Sequence, residues 1–216
     1  MSAAARGAVD SSGIAAPTMN TDDAADKYSV VAIASSAGGI GALIRVLGAL
    51  PATLPIPVLV VQHLDPRHRT IIAELLGRRT GLRVELARAG VTAEPGTVYI
   101  APPNYHLLVE PHGVLTLSSS ELVHFVRPSA DLLFESVAGA YGARAIAVVL
   151  TGTGSDGAMG VSAVKSRGGT VIVQDPEDAE FRGMPTAARA TGAADLVLPL
   201  DEIAAVVRGL VEPGEV

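Results

Sequence analysis

No cysteine occurs anywhere in the 216 residues of the chain. That excludes a disulfide framework, a thiolate nucleophile and a cysteine-ligated zinc site. Aromatic residues are scarce at 3%, against 49% hydrophobic residues overall and 23 glycines. The apolar content is therefore Ala, Val and Leu, which suits helices packed closely on a parallel sheet. No apolar run approaches the length of about 18 residues that a membrane-spanning helix needs. The first 27 residues have no basic start followed by an apolar stretch, so they do not read as a secretory signal. The expected compartment is the cytoplasm. Cationic charge is also short: the net charge is −6, which argues against nucleic acid as a partner because phosphate backbones demand clustered cations. The pairs Arg67/Arg69 and Arg78/Arg79 read as ordinary solvated surface.

What is present divides into a leader and a patterned region. Residues 1–27 lack periodicity and carry the polar run NTDDAADK, so a disordered leader is expected. From Tyr28 onward, short β-branched runs alternate with helical patterns. Strands are expected at 29–34, 57–63, 83–87, 97–102, 145–152, 170–175 and 194–200. Helices are expected at 42–50, at 70–80 with Ile71, Leu75 and Leu76 on one face, and at 129–142, where Ser129 is the N-cap and Leu132, Leu133, Val137 and Tyr141 share a face. Further helices are expected at 157–169, ended by Gly168, at 184–192, and at 201–211, capped by Asp201. Residues 106–118, two runs about a Pro-His-Gly turn, suggest an antiparallel hairpin. The alternation predicts an α/β fold: a doubly wound, mostly parallel, Rossmann-like sheet with helices on both faces and one antiparallel hairpin.

Three polar clusters each follow a strand-like run: SSAGG at 35–39, QHLDP at 62–66 and TGTGSDG at 151–157. If those runs are parallel strands of one sheet, Ser36, His63 and Asp156 share the edge where open α/β sheets bind ligands. A serine in a sharp strand-to-helix turn has its hydroxyl lifted off the sheet, and amides of the following helix can stabilise an oxyanion. The same serine also fits a helix N-cap or a phosphate-cradling loop. Ser35 is equally small, but its side chain should point the other way. A histidine at the edge can accept the serine proton and return it to a leaving group. Asp156 can hold one tautomer of that histidine, or cap the helix that follows it. Asp65 is too close to His63 along the chain to orient it easily. The remaining histidines, His68, His106, His112 and His124, read as structural or surface residues.

Together these clusters make the chain resemble the CheB-type protein-glutamate methylesterase catalytic domain over roughly residues 29–211. The blocks that carry the resemblance are IASSAGG (33–39), VVQHLDP (60–66), YIAPPNYH (99–106), RPSADLLFESVA (127–138), LTGTGSDGAMG (150–160) and GMPTAA (183–188). The resemblance implies Ser36 as nucleophile, His63 as base and Asp156 as the orienting carboxylate. It offers Ala37, Gly38, Thr153, Gly154 and Met184 as oxyanion-hole or substrate-cleft positions, with no metal and no cofactor. The implied reaction is demethylation of glutamyl γ-methyl esters, and it allows deamidation of glutamine at the same site. The implied partners are the cytoplasmic helices of methyl-accepting chemoreceptors. Three positions depart from the pattern: Ala37 where threonine is common, Ala34 where glycine is usual, and Arg182 where an aromatic residue is common. Twenty-seven residues are too few for the receiver domain such proteins commonly carry. Control is therefore expected to be absent or supplied by a separate response regulator.

Two alternatives stand beside this reading. SSAGGIGAL (35–43) looks like the glycine-rich turn of short-chain dehydrogenases. However, the residues four places after the tyrosines at 28, 99, 105 and 141 include no lysine, so that family's Tyr-x-x-x-Lys pair is missing. The other alternative is a catalytically silent module that docks on a signalling protein through the same sheet edge.

Overall fold

A computed structural model of the chain describes residues 28–63 and 71–212. The expectations for the leader 1–27, for Asp65, for Arg67, His68 and Arg69, and for Thr70 lie outside the described residues. The element order is β1 (Val30–Ser35), α1 (Gly39–Gly48), β2 (Val58–Gln62), α2 (Ile72–Gly77), β3 (Arg83–Leu86), β4 (Thr97–Ile100), β5 (His106–Val109), β6 (Leu115–Ser118), α3 (Ala130–Tyr141), β7 (Ala145–Val149), α4 (Ala158–Ser166), β8 (Thr170–Gln174), α5 (Gly183–Ala190), β9 (Leu196–Leu198) and α6 (Leu200–Val211).

Seven strands form one sheet in the order β3-β4-β2-β1-β7-β8-β9, with every neighbouring pair parallel. The expected hairpin is present, but β5 and β6 pair as a separate two-stranded sheet. The chain leaves β1 toward β2 on one side and returns to β7 on the other. β1 therefore stands at the switch point of the sheet, where loops diverge and leave a crevice beyond the strand ends.

Residues of alternating parity on the strands build two separate cores, as the two-residue period of a strand requires. Val31, Ile33, Val58, Val60, Ile146 and Val148 face one way with α1, α2 and α6. Ala32, Ala34, Ala145, Ala147 and Val149 face the other way with α3, α4 and α5. Alanines on that second face leave room for α3, whose Leu133, Phe134 and Val137 are fully buried. Burial on both faces explains why β1, β2 and β7 read as unbroken apolar runs.

Local details differ from the sequence reading in four places. α1 begins at Gly39 rather than near Ala42, because Gly38 supplies a left-handed N-cap residue at φ 73°. In α2 the inward residues are Ile72 and Leu76, while Ile71 precedes the helix and is exposed. In α3 Phe134 takes the buried place, and Leu132 and Tyr141 are only half-buried. Asp201 does not cap α6: the N-cap is Pro199, and Asp201 lies in the first turn, paired with Arg45 of α1. There an acidic residue still complements the helix dipole. Gly168, at φ 83°, does end α4.

Candidate active site

The register of the central strands places the first two sequence candidates side by side. Ser35 of β1 pairs with Gln62 of β2, so Ser36 and His63 are the next residues at the same edge. The His63 amide donates to the Ser35 carbonyl at 3.1 Å, and the Ser36 amide donates across to Thr151, beyond β7, at 3.0 Å. Ser36 is thereby tied to both neighbouring strand ends. Ser35 is fully buried with its side chain turned inward, as expected.

A buried glutamine fastens this junction. The Gln62 carboxamide accepts from the Ser35 hydroxyl at 2.7 Å and donates to the Ser36 and His63 carbonyls at 2.8 and 2.9 Å. All three contacts agree on one amide orientation. Gly39 makes room for it: a Cβ there would stand 2.1 Å from Gln62 Oε1. Gln174, at the end of β8, plays a parallel part by accepting from the Thr151 amide at 2.8 Å. The Thr151 hydroxyl donates to the Ala37 carbonyl at 3.1 Å and accepts from the Phe181 amide at 2.8 Å. Gln62, Gln174 and Thr151 were not singled out from sequence. The available signal was a polar residue closing an otherwise apolar strand.

Asp156 comes from the loop after β7. Its Oδ2 lies 2.9 Å from His63 Nε2. It also receives the Ser129 hydroxyl at 2.8 Å and the Ala130 and Asp131 amides at 2.6 and 3.1 Å. The helix that holds Asp156 is thus α3, whose N-terminal amides and dipole favour a negative charge. The capping role considered for Asp156 at α4 is not found: the N-cap there is Gly157, without a side-chain cap. Ser129 caps α3 as expected, accepting from the Leu132 amide while donating to Asp156. Burial works against the Asp156 charge, but the bonds from His63, Ala130, Asp131 and Ser129 outweigh it and hold the carboxyl below the usual carboxylate range. An ionised Asp156 only accepts, so the proton between it and His63 resides on Nε2 and the lone pair on Nδ1.

The other predicted positions surround this pair. Ala37 and Gly38 lead into α1, and among the described residues their amides make no hydrogen bond. Thr153 and Gly154 are exposed. Met184 is different: it is 1% exposed, and its sulfur would lie 2.3 Å from a Cβ at Gly152. It supports the turn from beneath and does not line an open cleft. Gly152 in turn packs against the Ser36 Cβ. Of the remaining histidines, His106 is fully buried and bridges the Ser129 amide and the Glu121 carbonyl. That is the structural role expected of it. His112 is exposed beyond β5. No cluster of metal-ligating side chains occurs among the described residues. A cavity of about 440 Å³, lined by Ser29, Pro57, Pro111 and Tyr141 among others, lies at the opposite edge of the sheet.

Chemically, a serine on the strand end next to a histidine that a buried carboxylate holds, with free helix-N-terminal amides nearby, suits acyl transfer, although the Ser36 hydroxyl makes no hydrogen bond to His63 here. Comparisons with known proteins point the same way. The family model described as CheB methylesterase matches residues 31–207. The chain is 40% identical over 177 residues to a putative protein-glutamate methylesterase/protein-glutamine glutaminase of Leptospira interrogans, covering 82% of this chain and 92% of that relative. It is 43% identical over 180 residues to the protein-glutamate methylesterase FrzG of Myxococcus xanthus, of which it spans 54%. The crystal structure of the Thermotoga maritima CheB methylesterase catalytic domain superposes with a TM-score of 0.82 at 38% identity, covering 85% of this chain and 99% of that one. No helix of the described residues is long and apolar enough to cross a membrane.

Proposed function

The chain belongs to the CheB methylesterase family, and on that premise we propose that it hydrolyses glutamyl γ-methyl esters carried by chemoreceptor helices, with Ser36, His63 and Asp156 as its catalytic triad. The observation that carries the reading is the His63–Asp156 pair at 2.9 Å, set on the strand end adjacent to Ser36.

Ser36 attacks the ester carbonyl while His63 Nδ1 takes the hydroxyl proton. Asp156 holds the ring through Nε2 and stabilises the imidazolium without itself becoming protonated. The oxyanion is received by amides at the start of α1 and in the 153–154 turn. Collapse of the tetrahedral species expels methanol, which leaves with the His63 proton. Water activated by His63 then cleaves the acyl-enzyme to free glutamate and Ser36. The same steps with ammonia as leaving group account for glutamine deamidation. No step needs a metal or an organic cofactor.

Ser36→Ala should reduce methanol release from methylated receptor membranes by roughly 10³-fold or more, with an unchanged circular dichroism spectrum. Release within tenfold of wild type would refute the assignment.

A further inference from the structure

A second histidine–carboxylate pair lies directly behind the first. The Asp131 carboxylate is buried, with 3% of the residue exposed. Its Oδ1 accepts from the Gly160 amide at 2.8 Å, which joins α3 to α4. Its Oδ2 is buried as well and has no hydrogen bond among the described residues. His124 Nε2 lies 3.3 Å from that oxygen, within ion-pair distance but without hydrogen-bond alignment. A clamp between two helices needs only Oδ1, so the second buried oxygen is a cost without a structural return.

The backbone that delivers His124 carries a cost of its own. Val123 and Val126 exchange amide–carbonyl bonds of 3.2 and 2.9 Å, closing a two-residue turn. Its two central residues, His124 and Phe125, have φ of 50° and 65°. Such a turn ordinarily takes Asn-Gly, because side chains larger than these are strained in the left-handed region. The turn gains little from packing, since Phe125 is 94% exposed. Strain of this kind can persist where a turn places a side chain, and here the turn brings His124, its side chain 48% exposed, to the buried Asp131.

Asp131 also touches the catalytic carboxylate, since its own amide donates to Asp156 Oδ1 at 3.1 Å. Burial raises the Asp131 carboxyl above its usual range, against the Gly160 amide; repulsion from Asp156 adds to the rise, and attraction to His124 and the Gly157 amide oppose it. Asp156 and His124 are the charged groups that act on it from neighbouring elements. Glu135, one turn along α3, is exposed to solvent.

We propose that His124 and Asp131 form an outer pair of positioning residues, whose net charge sets how readily His63 holds a proton. This rests on the reading of Ser36, His63 and Asp156 as a hydrolytic triad. When His124 carries a proton the outer pair is neutral, and no further negative charge stands behind Asp156 on the Asp131 side. When it does not, a second negative charge stands behind Asp156 and favours the imidazolium.

The test is the pH dependence of Ser36 labelling by a small fluorophosphonate, which needs His63 free to act as base but no receptor. His124→Gln leaves Asp131 uncompensated, so the acid limb should move to higher pH. Asp131→Asn keeps an acceptor for the Gly160 amide but removes the charge, so the limb should move to lower pH. Each shift should be on the order of half a pH unit for charges acting across this separation. Opposite shifts support the outer pair. Limbs that superimpose on wild type, or that move in the same direction, overturn it and leave the triad untouched. If Asp131→Asn fails to fold, the direction of the His124→Gln shift decides alone. Absence of labelling in wild type would instead refute the triad reading.

Discussion

At the scale of single residues, Asp156 and Asp131 sit a few ångströms apart and are pushed in opposite directions by their surroundings. Burial disfavours charge on both. Asp156 overcomes it with bonds from His63, Ala130, Asp131 and Ser129, whereas the Gly160 and Gly157 amides and a poorly aligned histidine do not suffice for Asp131. The sign of each contribution to stability follows by linkage. Asp156, lowered in the folded state, contributes stability that is full above the unfolded value of about 3.9 and lost as pH falls through its lower folded value. Asp131, raised, favours folding at low pH and loses that contribution as pH rises through its folded value. Asp156→Asn should therefore flatten the fall in urea midpoint between pH 5 and pH 2, while Asp131 still titrates. The same substitution presents an N–H₂ group where His63 Nε2–H and the Ala130 amide need acceptors. It should lower kcat by roughly 10³- to 10⁴-fold with little change in KM.

At the scale of elements, the β1–α1 junction works because three small residues and one glutamine interlock. Gly39→Ala would drive a Cβ into Gln62 Oε1 and the Ser35 side chain. Gln62 would have to release at least one of the carbonyls of Ser36 and His63. The expected cost is about 1–3 kcal/mol of unfolding free energy, with a fall of tenfold or more in Ser36 labelling, measured by denaturant titration and by probe kinetics. This junction also marks the limit of what could be read from sequence. β1, β2 and β7 were legible because burial on both faces gives unbroken apolar runs. α3 was legible from Ser129 and its spacing, and the β5–β6 pair from its turn. Gln62 and Gln174 were not, because a lone glutamine has no periodic signature and its partners lie on other strands. Nor could the sequence tell that Asp156 is held by α3, since Ser129 and Asp156 are 27 residues apart and meet only once the sheet is assembled. Asp201 was misread for a related reason: a capping residue and a first-turn carboxylate differ by one backbone torsion, and Pro199 had already fixed the start of α6.

At the scale of the whole molecule, the two faces of the sheet are unequal. On the α3 face, Ala32, Ala34, Ala145 and Ala147 form a thin layer under the helix that grips Asp156. Ala147→Leu would thicken that layer by three carbons and lift α3, although residue 147 touches no catalytic group. It should cost about 1–3 kcal/mol and lower turnover disproportionately, seen as a drop in kcat larger than the loss of folded protein at the assay temperature. The strand order β2-β1-β7 has a further consequence, for the history of the chain. Ser36 and His63 lie in its first third, whereas β7 and the Asp156 loop lie beyond residue 144. Parallel pairings this distant form late, because loop closure must precede any gain from contact. A growing chain thus carries the proposed nucleophile and base well before it carries the carboxylate proposed to orient them. Hydrolytic competence therefore waits on the late β1–β7 pairing, which brings the Asp156 loop to the His63 strand end.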